Sequence, residues 1–243
     1  MIEVEGLSKS FGAVRAVDDV SFQARNGRVT GLLGPNGAGK STTLRILYTV
    51  LPPDAGSARV DGYDTVESPL EVRRHIGVLP HGAGLYPNLT ARENVAYFGR
   101  MHGLSGRQLD DRIAGLVELL DLREFADRRA KGFSQGQRLK TALARALVHE
   151  PRHVLLDEPS NGLDVMATRS LRELIRRLRG AGKCVLFSSH VMQEVAALCD
   201  DIVIIAHGRV AVSGTPDEIR ARTGQAELED AFVESIGSAE GLA

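Results

Sequence analysis

Nine residues, Gly34-Pro35-Asn36-Gly37-Ala38-Gly39-Lys40-Ser41-Thr42, constrain this chain more than any other stretch. They fit the pattern G-x-x-x-x-G-K-[ST]. The apolar run Val29–Leu33 precedes them, and Leu44, Leu47 and Leu51 follow at helical spacing. A strand, a glycine-rich turn and a helix in that order make a phosphate cradle. Glycines let backbone N–H groups close on phosphate oxygens that side chains would hold off. The helix starting at Lys40 adds about half a positive charge at its N-terminus. Lys40 can reach the terminal phosphates of a nucleoside triphosphate, and the Ser41 hydroxyl can ligate Mg²⁺.

Around this motif the hydrophobic pattern predicts strands over residues 17–24, 29–33, 57–62 and 76–79. It predicts a helix over 40–50, ended by Pro52-Pro53. From about 89 to 150 the character changes. Thr90 and Glu93 form a capping box, helical patterns cover 105–120 and 134–149, and no strand is evident. Alternation then resumes, with strands at 154–156, 185–188 and 202–206 and helices at 165–179 and 191–198. Strands alternating with helices predict an α/β fold with a mostly parallel sheet covered on both faces. The acidic tail from Gln225 reads as a short docking helix or a loosely held end.

A second motif is Val154-Leu155-Leu156-Asp157-Glu158. An apolar strand ending in an acid places that acid at the carboxyl edge of the sheet, where ligands bind in such folds. Asp157 would hold Mg²⁺, and Glu158 would polarise the attacking water. Alone, two acids after a strand also suit a turn or a helix cap. Beside a phosphate cradle they read as the catalytic half of a nucleotide hydrolase.

Other function classes are disfavoured. The formal net charge is −1 and Trp is absent, which argues against a nucleic-acid partner. Cys184 and Cys199 match no zinc or redox spacing and read as reduced packing residues. The start Met1-Ile2-Glu3-Val4-Glu5 lacks the basic and apolar regions of a signal peptide. The longest apolar runs fall far short of the ~20 residues of a membrane helix. A cytoplasmic, soluble chain is expected, reaching a membrane only through a partner.

A third group of residues narrows the reading. Phe133-Ser134-Gln135-Gly136-Gln137 opens a helix upstream of Asp157, Pro159-Ser160-Asn161-Gly162-Leu163-Asp164 follows Glu158, and Ser188-Ser189-His190 closes a later strand. Together with the cradle these resemble the ATP-binding cassette (ABC) family, from Phe11 to about Gly214. The resemblance implies a P-loop NTPase fold with an N-terminal antiparallel β subdomain. It implies a cassette over 1–220, with a nucleotide-binding core at 1–81 and 151–220, a helical subdomain inserted at 82–150, and a tail at 221–243. It implies ATP and Mg²⁺ as cofactors, and a head-to-tail homodimer with two ATP molecules at the interface. Ser134, Gly136 and Gln137 would face the ATP held by the other copy, and Ser134 also suits a plain helix cap. His190 would be the switch histidine at the γ-phosphate, and Asp164 would touch the partner copy. Phe11 resembles the aromatic that stacks on adenine, with a core phenylalanine as the competing reading.

Two positions depart from the family pattern. His81 stands where most members carry a glutamine, and Mg²⁺ prefers oxygen to imidazole, so a water-mediated or relay role is expected. Gln135 replaces the commoner glycine of the signature. Residues 77–81, 85–94 and 228–232 are similar to ATPases of the sodium-exporting ABC-2 type. That similarity implies a membrane permease as partner, placement on the inner face of the cell membrane, and sodium or drug efflux. The alternatives are a cassette ATPase acting in translation or on DNA, and a nucleotide-dependent regulator without turnover. Retained Glu158 speaks against the last, and the absence of sustained heptads between Lys40 and Asp157 against DNA repair.

Overall fold

The computed structural model describes residues 1–82 and 84–237. The chain opens with two long strands, β1 (Ile2–Phe11) and β2 (Val14–Ala24), then β3 (Val29–Leu33) and helix α1 (Lys40–Leu47). β4 (Ala55–Val60), β5 (Tyr63–Asp64), α2 (Pro69–His75) and β6 (Ile76–Leu79) follow. Three helices come next: α3 (Ala91–Met101), α4 (Gly106–Leu119) and α5 (Gln135–Leu147). The chain returns through β7 (His153–Asp157), α6 (Val165–Gly180), β8 (Cys184–Ser189), α7 (Met192–Leu198), β9 (Asp201–Ala206) and β10 (Arg209–Gly214). It ends on α8 (Pro216–Thr223) and α9 (Leu228–Ile236).

Two sheets result. An antiparallel sheet runs β2-β1-β4-β5, and a six-stranded sheet runs β10-β9-β3-β8-β7-β6. In the second, β9, β3, β8, β7 and β6 are parallel and β10 pairs antiparallel at the edge. This is the mostly parallel α/β arrangement expected from the alternation. Side-chain period 2 divides the parallel strands between two cores. Leu32, Leu155, Leu186, Val203 and Ile205 pack toward α1 and the antiparallel sheet. Leu33, Val154, Leu156, Phe187 and Ile204 face the other side, toward α6, α7 and the three-helix lobe. Leu32, Leu155 and Leu186 have no exposed surface. Truncating any of them to alanine costs about 2–5 kcal/mol.

The lobe α3–α5 is continuous with the second core, since Val95, Leu109, Ile113, Leu116 and Leu143 belong to the same cluster as Leu33 and Leu156. Among the described residues its only extended pairing is an isolated bridge between Thr90 and Arg129. Thr90 caps α3 with the reciprocal Glu93 bond. At the root of the lobe, the rings of His102 and His149 stack 3.6 Å apart and 2° from parallel. His149 Nε2 lies 2.9 Å from the Ile76 carbonyl oxygen at the start of β6. Burial, and then the neighbouring His102, push the His149 imidazole down to about 4.

Some elements differ from expectation. α1 stops at Leu47 rather than running to 50, so the prolines do not end it. Thr49 turns left-handed, with φ 64°, and its side chain and carbonyl accept from Arg73 of α2. The helix closes locally before Pro52, because the Val50 N–H donates to the Arg45 carbonyl and the Thr49 N–H to the Ile46 carbonyl around that left-handed residue. Over residues 225–237 the tail forms a docking helix, because α9 buries Leu228 and Ala231 against the second core, and residues 238–243 lie outside the described residues. α2, α8 and β10 were not anticipated. For α8 the signal was present, since Thr215 and Glu218 form a capping box around Pro216. Cys184 and Cys199 are both free, and burial pushes the Cys184 thiol up to about 12.

Candidate nucleotide site

Strand order assembles the site. β8 lies between β3 and β7, and its register sets Ser188 beside Asp157 and Ser189 beside Leu33. The cradle after β3, the acids after β7 and His190 after β8 therefore meet at one carboxyl edge of the parallel sheet. β6 pairs with β7 on the far side, and its exit brings in His81.

The cradle is built by close approach. Gly39 caps α1 with φ 106°, a conformation that disfavours any side chain, and a Cβ there would collide with the Ala16 carbonyl oxygen. A Cβ on Gly34 would collide with the Ile205 carbonyl oxygen. Gly37 is also left-handed and faces open space. Pro35 accepts from the Ala38 N–H at 3.2 Å, and Asn36 lies between them at the exposed tip. The first amides of α1, including Ser41 and Thr42, have no carbonyl partner one turn back within the helix and point at the cradle.

Lys40 is nearly fully buried, and its ammonium donates to the carbonyls of Gly34 (2.7 Å) and Pro35 (2.9 Å). Burial lowers its proton affinity, and the carboxylates of Glu158 and Asp157 oppose that shift. Ser41 Oγ donates to Asp157 Oδ1 at 3.0 Å, and Ser188 Oγ donates to the same oxygen at 2.7 Å. Ser188 Oγ in turn accepts the Glu158 N–H at 3.0 Å. Glu158 holds a left-handed backbone, φ 48°, a strained state for a residue with a side chain. Its carboxylate is the meeting point of the site. Lys40 Nζ stands 3.8 Å and His190 Nδ1 3.4 Å from Oε1, and His81 Nδ1 stands 3.9 Å from Oε2.

The structure thus brings together Lys40, Ser41, Asp157, Glu158, His190 and His81. It does not bring the signature residues into contact with them. Ser134 Oγ accepts the Gln137 N–H at 3.2 Å, and Gln137 Oε1 accepts the Ser134 N–H, so the pair caps α5. Gly136 lies within that first turn, near Ala167. Asp164 caps α6 by accepting from the Ala167 N–H at 2.8 Å. Phe11 is 48% exposed at the end of β1, which excludes the core reading, and Lys9 lies over its ring. Ser188 was missed as a site residue. Its signal was a strand ending in a hydroxyl next to a strand ending in an acid, which only strand order can reveal. Glu194 was missed too. Buried on α7, it accepts from Ser160 Oγ at 2.5 Å and Ser189 Oγ at 3.1 Å.

The donor set suits a hard cation. A hydroxyl and a carboxylate oxygen converge within 3.0 Å at the mouth of the cradle, and Mg²⁺ typically takes one or two carboxylates with substrate phosphates. No helix among the described residues is long and apolar enough to cross a membrane.

Comparison with known proteins agrees with this geometry. The sequence model of the ABC transporter family matches residues 17–161, more than half of the chain. The chain is 44% identical over 241 residues to the ABC transporter ATP-binding protein NatA of Bacillus subtilis, covering 97% of this chain and 98% of that protein. It is 39% identical to the Nod factor export ATP-binding protein I of Ralstonia nicotianae, covering 90% and 68%. Among solved structures, an ATP-binding subunit of an ABC transporter superposes with a TM-score of 0.90 at 31% identity, covering 98% of this chain and all of that one. A dimeric bacterial ABC transporter cassette superposes with a TM-score of 0.80 at 26% identity, covering 88% and 98%. This chain belongs to the ABC transporter family, as an ATP-binding subunit.

Proposed function

We propose that this chain binds MgATP at the carboxyl edge of the parallel sheet, hydrolyses it within a sandwich of two copies, and so drives a membrane permease of the ABC-2 type. The observation that carries the reading is the Glu158 carboxylate, held among Lys40, His190 and His81 beside the Ser41–Asp157 oxygen pair.

The triphosphate lies in the loop from Gly34 to Thr42, with Phe11 against adenine. Lys40 exchanges its carbonyl partners for β- and γ-phosphate oxygens and offsets their charge. Glu158 accepts the proton of the attacking water through a carboxylate oxygen, and its fixed left-handed backbone keeps that oxygen in place. His190, beside Oε1, donates to the γ-phosphate and orients the water. Ser41 and Asp157 would hold Mg²⁺, which supplies positive charge against the phosphates when bound. Ser134, Gly136 and Gln137 present a hydroxyl, a bare backbone and a helix N-terminus, a set suited to the phosphate of the second copy's ATP. Asp164 meets that copy across the interface. His81 acts on Glu158 through water or as a relay.

Three lines support the assembly. The cassette compared above is dimeric, and another state of it is dimeric with ADP and Pi bound. The relatives are export and resistance subunits, including one for linearmycin resistance, which favours transport over work on ribosomes or DNA. Residues 85–94, which run from the segment after β6 into the first turn of α3, resemble the region that meets the membrane subunit in the family. The cassette core spans 1–81 and 151–220, the helical subdomain 82–150, and the chain works at the cytoplasmic face through its permease. Sodium or a drug is the cargo class, and the permease selects it.

Glu158→Gln tests the proposal. The variant keeps MgATP binding, loses hydrolysis by about 10²–10³-fold, and elutes as a dimer with ATP in gel filtration. A variant that hydrolyses at the parent rate, or stays monomeric with ATP, overturns it.

A further inference from the structure

The signature helix and the catalytic acid are joined inside one copy. Gln135, the first residue of α5, extends an exposed side chain to the loop after Glu158, where its Nε2 donates to the Asn161 carbonyl at 2.8 Å. The neighbouring Gly162 is left-handed, φ 70°, and its bare Cα makes room, since a Cβ there would collide with the Gln135 amide. From this contact two short paths lead into the site. Asn161 N–H donates to the Glu158 carbonyl at 3.2 Å. One residue earlier, Ser160 Oγ donates to the buried Glu194 carboxylate, which also accepts from Ser189, the residue before His190.

We propose that Gln135 is a positioning residue that couples the exposed signature end of each copy to that copy's own Glu158–His190 site. The proposal rests on the sandwich reading above. Ser134 and Gln135 are adjacent, so a phosphate seated on the cap of α5 fixes the base of the Gln135 side chain. Its amide then holds the 159–164 loop at the position that sets the Glu158 carbonyl and the Ser160–Glu194–Ser189 chain. In the free copy this exposed bond contributes little to folding. Between two copies, with water excluded, the same bond strengthens. Gln135 thus reports occupancy of one nucleotide site to the other.

The test uses the full chain and the variants Gln135→Glu, which keeps length but loses the donor, and Gln135→Gly. ATPase rate is measured against ATP concentration, fluorescent ADP binding is measured at low protein concentration, and ATP-driven dimerisation is measured in a Glu158→Gln background. The expected result is ADP affinity within about twofold of the parent, retained dimerisation, kcat lower by about five- to tenfold, and a Hill coefficient falling toward 1. Unchanged kcat and Hill coefficient overturn the proposal. So does a lower kcat with an unchanged Hill coefficient, which is local damage without coupling. Loss of dimerisation overturns it as well, because Gln135 would then be a contact of the sandwich itself. A parent whose Hill coefficient is already 1 has no coupling to lose and also overturns it. Failure of the Glu158→Gln parent to dimerise with ATP is a different result, and it sinks the sandwich reading first.

Discussion

The carboxyl edge of the parallel sheet and the start of α5 carry residues of similar chemistry in opposite conditions. At the sheet edge, Lys40 and Asp157 are buried, and hydroxyls and carboxylates bond one another across three strands. At α5, the side chains of Ser134 and Gln137 bond each other's backbone N–H groups, and Ser134 is open to solvent. The first region is held together by its own side-chain and backbone bonds. The second has its first N–H groups satisfied by a local cap. On the proposed sandwich, the first half would bind nucleotide by itself and the second would act on what another copy carries.

The largest effects should separate these regions. Lys40→Ala removes the buried cation and should weaken nucleotide binding to the single copy, with hydrolysis lower by about 10²–10³-fold. Ser134→Arg should leave fluorescent ADP binding to the single copy intact and lower hydrolysis by at least about tenfold. Equal loss of ADP binding in both variants would break the comparison.

A smaller effect concerns the joint between lobe and sheet. His149 is held neutral by burial and by the stacked His102, at about 4 against an ordinary 6.5. The unfolded chain therefore takes up this proton first as pH falls. Stability is present in full above about pH 6.5 and is lost between 6.5 and 4. The loss at the acid end is on the order of 2–3 kcal/mol. Denaturant unfolding of the parent at pH 7 and pH 5 should show the decline. His149→Phe, which keeps the ring but not the proton, should flatten the slope whatever its absolute stability. The smallest effect is expected at His81, which is half exposed and 3.9 Å from Glu158. His81→Gln should lower kcat by about two- to threefold at neutral pH. An unchanged rate would remove His81 from the site.

Much of the site was legible because its parts are local. The cradle, the acid pair and the capped signature each occupy fewer than ten consecutive residues, and each has a chemistry that its spacing states. Thr90 with Glu93 and Ser134 with Gln137 formed the caps that their three-residue spacing implies. The end of α1 was not legible, because a threonine, not the usual glycine or asparagine, takes the left-handed position of its closing turn. Ser188 and Glu194 were hidden for another reason, since their value lies in which strands and helices become neighbours.

Sequence alone determined that a phosphate cradle follows an apolar strand, that two acids end another, and that a helical stretch separates them. Those follow from periodicity, backbone freedom at glycine and capping chemistry, all of which act within a few residues. Only the tertiary structure decided that β8 lies between β3 and β7, that Asp157 is shared by Ser41 and Ser188, and that Glu158 faces Lys40, His190 and His81. The physical reason is that strand order is chosen by burial of the whole apolar set at once, and no short segment carries that sum.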